Sequence, residues 1–362
     1  MRALVAPKYT KPSGYEVIDL PVPSVQKPNE MLIKVHAAGI MTGDTLVAGG
    51  TMKLLFKAPF PIRIGIECSG VVINVGSAVK NFKPGDAVYG AAFGHPMEFE
   101  NAPGYCSEYC IGRESLFVHK PAHLSFEEAA SLGGFTLTAY QSFELGAKHL
   151  ADRGKTLEGS TVFVPGALSA TGALGIQVLK NVYGVGKIIA TVSTSKVPLV
   201  EKYLPGMVDQ VVDYTKFEDL SRIIPSGSID FAYNTQWSSL ESIIPLMNKE
   251  NGVIVSIASL FPPKILRQAM GPMLPFWAAW VAALAQLYYR WLLRGTNIKL
   301  DFLSGNLGKR DDVEKTAEII ALGKVKSVMR VVKLEDIEAV RKACDEVYRG
   351  KGGLGRLIVK IV

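Results

Sequence analysis

Cysteine is scarce in this chain: Cys68, Cys106, Cys110 and Cys344 are the four among 362 residues. So few thiols exclude a disulfide-stapled secreted scaffold. Cys106 and Cys110 stand at C-x3-C spacing, but no second Cys or His pair follows at ligand spacing, so no structural zinc site is expected. There is no basic run with interleaved aromatics, which argues against nucleic acid as a partner despite a net charge of +7. The opening M-R-A-L-V-A-P carries no apolar signal core, and an intracellular, cytoplasmic protein is expected. Repeats and low-complexity segments are missing too. What is present is 48% hydrophobic and 20% charged residues, a folded globular composition long enough for two domains.

The chain changes character near residue 127. Before it, short alternating segments such as Met31–Ala37 and Ser69–Val75 are cut by Pro and Gly, as in a β-rich domain. From Phe126, F-E-E-A-A-S-L opens a helix with acids in its first turn. Apolar strand-like runs then alternate with helical stretches: Thr161–Val164, Gly172–Tyr183, Lys187–Ser193, Ile229–Tyr233 and Val253–Ile257. Such a βαβ series predicts an α/β fold with a doubly wound parallel sheet.

Between Val162 and Gly175 a strand runs through small residues into a helix, V-F-V-P-G-A-L-S-A-T-G-A-L-G. This is the layout of a dinucleotide pyrophosphate site, in which the helix N-terminus supplies N–H donors. The three fingerprint positions read Ala167, Ser169 and Gly172, so one glycine remains of the usual three; Ala170 and Thr171 open the helix. An Asp or Glu at the end of the second strand would bind a ribose 2′-hydroxyl. This chain has Ser193, Thr194, Ser195 and Lys196 there, which suits a 2′-phosphate and predicts NADPH over NADH. Asn234 and Ala258 end later strands, where open α/β sheets bind ligands, and are expected to border the cofactor.

Together these features resemble the medium-chain dehydrogenase/reductase superfamily over nearly the whole chain. The resemblance rests on K-V-H-A-A-G-I-M-T-G-D (34–44), G-I-E-C-S-G-V-V (65–72), V-G-S-A-V-K-N-F-K-P-G-D-A-V-Y-G (75–90), L-S-F-E-E-A-A-S-L (124–132), T-L-T-A-Y (136–140) and G-K-V-K (323–326). It implies a GroES-like β-rich catalytic domain over 1–127, completed by 306–362. It also implies a Rossmann NADPH-binding domain over 128–305 with an apolar helical insertion at about 264–294. By the same resemblance Thr138 lies near the nicotinamide carboxamide and Tyr214 stacks near the adenine or phosphate.

The departures from the family pattern bear on chemistry. Where zinc alcohol dehydrogenases of this family carry a ligand Cys and a Gly-His-Glu motif, this chain has Met41 and Gly65-Ile66-Glu67; Gly43 stands at their proton-relay hydroxyl. Met and Ile cannot replace thiolate and imidazole on Zn²⁺, so no metal is expected. Asp44 and Glu67 then read as structural acids. The resemblance narrows to the zinc-free quinone oxidoreductase and enoyl reductase branch, and in outline to fungal trans-acting enoyl reductases. It implies NADPH-dependent hydride transfer to an activated C=C (enone, enal or enoyl thioester) or to a quinone. The proton donor is open between water and Tyr140. Met41, Met52, His95, Phe135 and Trp277 are the expected substrate-pocket residues, while His36 and His149 read as structural. Open alternatives are a non-catalytic NADPH-binding protein and a non-redox role on a polyketide. A lipophilic small-molecule substrate, free or carrier-protein bound, and a monomer or homodimer complete the expectation.

Residues 271–289 contain no charge, and cations lie on both sides. A spanning helix is disfavoured, because it would put neighbouring strands of one sheet on opposite sides of a bilayer. A lid or interface helix, and a peripheral membrane contact through 271–293, both stay open. Trp277, Leu284, Tyr288 and Trp291 share one helical face; Ala278, Ala282 and Ala285 lie on another.

Overall fold

A computed structural model describes residues 1–55, 57–94, 104–217, 219–237, 239–271, 274–350 and 353–362. The chain divides into two compact units. The first comprises Met1–Leu137, Asn306–Leu322 and Lys326–Val362; the second comprises Thr138–Gly305 and Gly323–Val325. The division falls inside the helix Phe126–Ala151, beyond the composition change near residue 127.

The first unit is built on long antiparallel strands whose alternating apolar residues face one core. Glu30–Ile40 is central: it pairs with Glu67–Val75, with Tyr109–Arg113 and with the C-terminal strand Arg356–Lys360. Met31, Ile33 and Val35 alternate inward from it, as a period-2 strand requires. The C-terminal strand sets Leu357 opposite Ile40, and Gly39 lies opposite Glu67 on the other side. Residues far apart in sequence therefore meet across one glycine.

The second unit contains six parallel strands: Thr161–Val164, Lys187–Val192, Gln210–Asp213, Phe231–Asn234, Val253–Ser256 and Lys299–Phe302. Their spatial order is third, second, first, fourth, fifth, sixth, the doubly wound arrangement. The fourth and fifth strands are buried along their whole length because both faces of a parallel sheet are covered. The helix after the first strand runs Ala170–Asn181, starting two residues before the expected Gly172, because Ser169 caps it.

Between the fifth and sixth strands lie two helices, Pro263–Met270 and Phe276–Leu292. Gly271 ends the first with φ of +57°, a left-handed conformation that favours glycine. The flanking strands pair in parallel, Val253 opposite Lys299, so this segment is a crossover connection. No helix of the described residues is long and apolar enough to cross a membrane.

Candidate functional site

The first strand of the second unit ends in Pro165-Gly166. Gly166 has φ of +72°, which L side chains adopt only under strain. Its N–H donates to Thr191 Oγ1 at 3.2 Å, and the Ala167 N–H donates to the Thr191 carbonyl at 2.9 Å. Ser169 Oγ accepts the Gly172 N–H at 3.0 Å, which satisfies one donor of the helix start. A Cβ on Gly172 would stand 2.2 Å from the Gly166 carbonyl oxygen, so glycine alone lets the helix seat this closely on the turn. The glycine of the tight turn is thus Gly166, one residue before Ala167. Ala167 itself is buried with its N–H engaged. The Pro-Gly dipeptide was the signal for that position.

The end of the fourth strand closes over this turn. Thr235 Oγ1 donates to the Pro165 carbonyl at 2.6 Å, and a Cβ on Gly166 would lie 2.7 Å from Gln236 Nε2. The first and fourth strands are neighbours where the strand order reverses, the switch point at which such sheets bind ligands. The helix Ala170–Asn181 carries no acid in its first turn. A glycine-lined turn, a capped helix N-terminus and an overlying amide fit a pyrophosphate. Gln236 and Thr235 were not singled out in the sequence, because their partners lie on another strand.

At the end of the second strand, Thr194–Lys196 form a short 3-10 turn, with Thr194 and Ser195 exposed and Ser193 and Lys196 half-buried. Thr194 Oγ1 pairs with Thr215 Oγ1 at 2.7 Å, and Thr215 Oγ1 donates to Asp213 Oδ1 at 2.6 Å. The Thr215 hydroxyl, foremost among these bonds, holds the Asp213 carboxyl below the usual range. Lys216 Nζ lies 3.8 Å from its other oxygen. Asp213 therefore has its charge compensated locally. Tyr214 stands exposed beside it, its N–H donating to the Val192 carbonyl at 3.1 Å.

Asn234 is fully buried. Its Nδ2 donates to Ser256 Oγ at 2.9 Å, and its Oδ1 accepts the Gln236 N–H at 3.2 Å and the Ser239 hydroxyl. The amide ties the fourth strand to the fifth, so its side chain turns inward. Ala258 is also buried, beside the Ser256–Ser259 hydroxyl pair at 2.7 Å. Thr138 lies against the backbone of Gly305, where an added Cβ would be 2.4 Å from its Oγ1; Tyr140 is half-buried on the same helix. Trp277 is 42% exposed on the helix Phe276–Leu292.

In the first unit, Met41 precedes the helix Thr42–Ala48, and both Met41 and Met52 pack against the hydrophobic core. Ile66 is buried in that core. Asp44 accepts the Met41 N–H at 2.9 Å through one oxygen and the Gly65 N–H at 2.9 Å through the other. Burial pushes its carboxyl up to about 7, against those two bonds and Arg356. Glu67 forms an ion pair with Arg356 Nη2 at 2.9 Å, both side chains almost wholly buried. Burial raises the Glu67 carboxyl, and Arg356 with the Gly134 N–H opposes the rise.

Gly39 lets this pair form: a Cβ there would lie 2.6 Å from Arg356 Nη2. Phe135, expected in the substrate pocket, stacks its ring 4.2 Å beneath the Arg356 guanidinium. Arg356 was not singled out from the sequence. His36 stacks on Phe126 at 4.1 Å, and His149 bonds Asp301 at 2.8 Å. His95 lies outside the described residues, as do Pro272 and Met273 of the apolar segment. Among the described residues no three His, Cys, Asp or Glu side chains gather as metal ligands would.

Residues 27–141 match the alcohol dehydrogenase GroES-like domain. The whole chain aligns with the structure of a quinone oxidoreductase from Coxiella burnetii at a TM-score of 0.74 and 22% identity, covering 100% of this chain and 99% of that one. Over residues 27–141 the chain is thus similar to that domain, and the whole-chain likeness shows a shared fold. A 2-methylene-furan-3-one reductase of Solanum lycopersicum is 32% identical to this chain, over 70% of this chain and 62% of that protein. A chloroplastic NADPH-dependent alkenal/one oxidoreductase of Arabidopsis thaliana is 34% identical, over 59% and 53%. The chain thus spans less than two thirds of the length of these two curated relatives. The second of these relatives is named for its NADPH dependence.

Proposed function

We propose that the chain is a zinc-independent, NADPH-dependent reductase of an activated C=C (enone, enal or enoyl thioester) or of a quinone. The observation that carries this reading is the pairing of a built dinucleotide turn with a first unit whose metal-ligand positions hold apolar side chains. Met41 and Ile66 pack into the core, and the adjoining acids Asp44 and Glu67 are engaged by backbone N–H groups and Arg356. Such residues cannot hold a Lewis acid to polarise an alcohol or ketone. An electron-poor alkene or quinone accepts hydride without one. The two curated relatives are named for reduction of such substrates.

When bound, NADPH supplies the hydride. The chain's own residues bind and orient. The Gly166 turn and the helix start at Ser169–Gly172 take the pyrophosphate. Ser193, Ser195 and Lys196 meet the 2′-phosphate, with Tyr214 beside them, and Thr138 holds the carboxamide end. Asn234 and Ala258 set the strand ends that border the site, and Tyr140 is the candidate proton donor from this chain. The substrate is lipophilic, free or carried on a protein, with Met41, Met52, Phe135 and His95 as its contacts; Trp277, also expected in the pocket, stands on the outward side of its helix.

The experiment is NADPH oxidation with a quinone, an alkenal, an enone and a long-chain enoyl thioester. Turnover of any one, with NADPH preferred to NADH, is the expected result; tight NADPH binding with no turnover on all four overturns the reductase reading. Lys196→Ala tests the cofactor choice. Loss of one charge-assisted bond of about 1.5–3 kcal/mol weakens NADPH roughly 10- to 100-fold, and NADH should change less than about twofold. Equal weakening of both would remove the 2′-phosphate assignment.

A further inference from the structure

The helix Phe276–Leu292 is inverted relative to an ordinary surface helix. Its small residues face inward: Ala278 and Ala282 are buried. Gln286 Nε2 donates to the Leu260 carbonyl at 2.9 Å, Tyr289 Oη accepts the Leu260 N–H at 3.1 Å, and the Tyr289 ring packs on Phe302 at 5.6 Å. These contacts attach the inward side of the helix to its unit. The outward side is apolar. Phe276 is 78% exposed and Trp280 69%; Val281, Leu284, Leu287 and Trp291 are each at least half exposed. Trp277 and Tyr288 complete the face, and Arg290 is the one exposed charged residue within the helix. At 100° per residue these apolar positions fill an arc of about 140° with no polar interruption other than the Tyr288 hydroxyl. That hydroxyl is itself bonded to Glu241.

The charges of the segment that carries this face have one sign, and Glu241, at the Tyr288 edge, comes from outside it. From Asn251 to Leu300 the chain contains no Asp or Glu, yet it carries Lys264, Arg267, Arg290, Arg294 and Lys299. Lys264, Arg267, Arg290 and Arg294 are exposed. An apolar arc rich in Trp, on a segment whose own charges are all cations, is complementary to the acyl–headgroup boundary of an anionic bilayer. A second copy of the chain is a poorer occupant: a two-fold contact on this face would bring Arg290 and Arg294 towards their own copies with no acid from the segment to pair them.

We propose that the outward face of Phe276–Leu292, with the cations of 264–299, docks the protein peripherally on an anionic lipid surface, the helix lying in the plane of the headgroups. The proposal goes beyond the reductase reading and does not rest on it.

The test uses the full chain with vesicles of phosphatidylcholine, alone or mixed with phosphatidylserine. Co-sedimentation and tryptophan emission are read together; Trp277, Trp280 and Trp291 lie on the docking face. The expected result is binding to the phosphatidylserine vesicles, with a blue shift in emission and several-fold weakening at high salt. Trp280→Glu with Leu284→Glu should lower partitioning about tenfold or more, which is about 1.4 kcal/mol. Arg290→Glu with Arg294→Glu should lower it for anionic vesicles specifically. All four positions are exposed, so thermal melting and dinucleotide binding should match the parent in both variants and certify the fold. A parent chain that stays in the supernatant with both vesicle types overturns the proposal, and so does a Trp280→Glu/Leu284→Glu variant that binds like the parent. A stable dimer that this variant converts to monomer, without vesicle binding, overturns it in favour of a second copy.

Discussion

Replacing Arg356 with Met leaves the Glu67 carboxylate buried and without its cation. The side chain that is lost is 2% exposed, stands 2.9 Å from Glu67 and lies over the Phe135 ring at 4.2 Å. Breaking a buried ion pair from one side costs about 3–5 kcal/mol, and losing a cation over an aromatic ring adds about 0.5–2 kcal/mol. Met fills much of the vacated volume, so about 4 kcal/mol is the expected net loss. For a unit of this size that lowers Tm by roughly 8–16 °C in calorimetry.

The loss should depend on pH. Burial already raises the Glu67 carboxyl, and without Arg356 it rises further. A carboxyl whose folded pKa lies above its unfolded value contributes stability at low pH that is lost as pH rises through the folded value. Arg356→Met should therefore be less destabilised at about pH 5 than at about pH 8. The double variant Glu67→Gln/Arg356→Met keeps an acceptor for the Gly134 N–H and removes both charges, so it should recover at least half of the loss. A single variant within about 1 kcal/mol of the parent, or a double variant no more stable than Arg356→Met, refutes the reasoning.

Other outcomes follow from the same geometry. Gly172→Ala places a Cβ 2.2 Å from the Gly166 carbonyl oxygen, backbone that cannot yield cheaply; dinucleotide affinity should fall about tenfold or more by calorimetric titration. An unchanged affinity would mean that this turn does not hold the cofactor. Asp44 should titrate near 7, pushed up by burial. Its stabilising contribution is then full below about pH 4 and lost as pH rises through about 7. Carboxyl-labelled NMR should show that midpoint, and an ordinary aspartate midpoint would contradict it.

Alternation of apolar segments and helical stretches made the doubly wound sheet legible in the sequence, because strand and helix periods are local properties of the chain. The strand–turn–helix at Thr161–Asn181 was legible for the same reason. Small residues mark such a turn, but only the backbone shows that the left-handed conformation falls on Gly166 and not on Ala167. The Glu67–Arg356 pair was invisible, since it forms only when the C-terminal strand docks beside Glu30–Ile40 and passes a glycine. Asn234 was legible as a strand-end residue, yet the bond to Ser256 that turns its amide inward is set by strand pairing. In the helix Phe276–Leu292 the sequence separated an alanine side from an aromatic side. A helical period defines faces but does not say which one a sheet will cover. Docking against Leu260 and Phe302 decided that: the small side packs close, and the aromatic side faces outward.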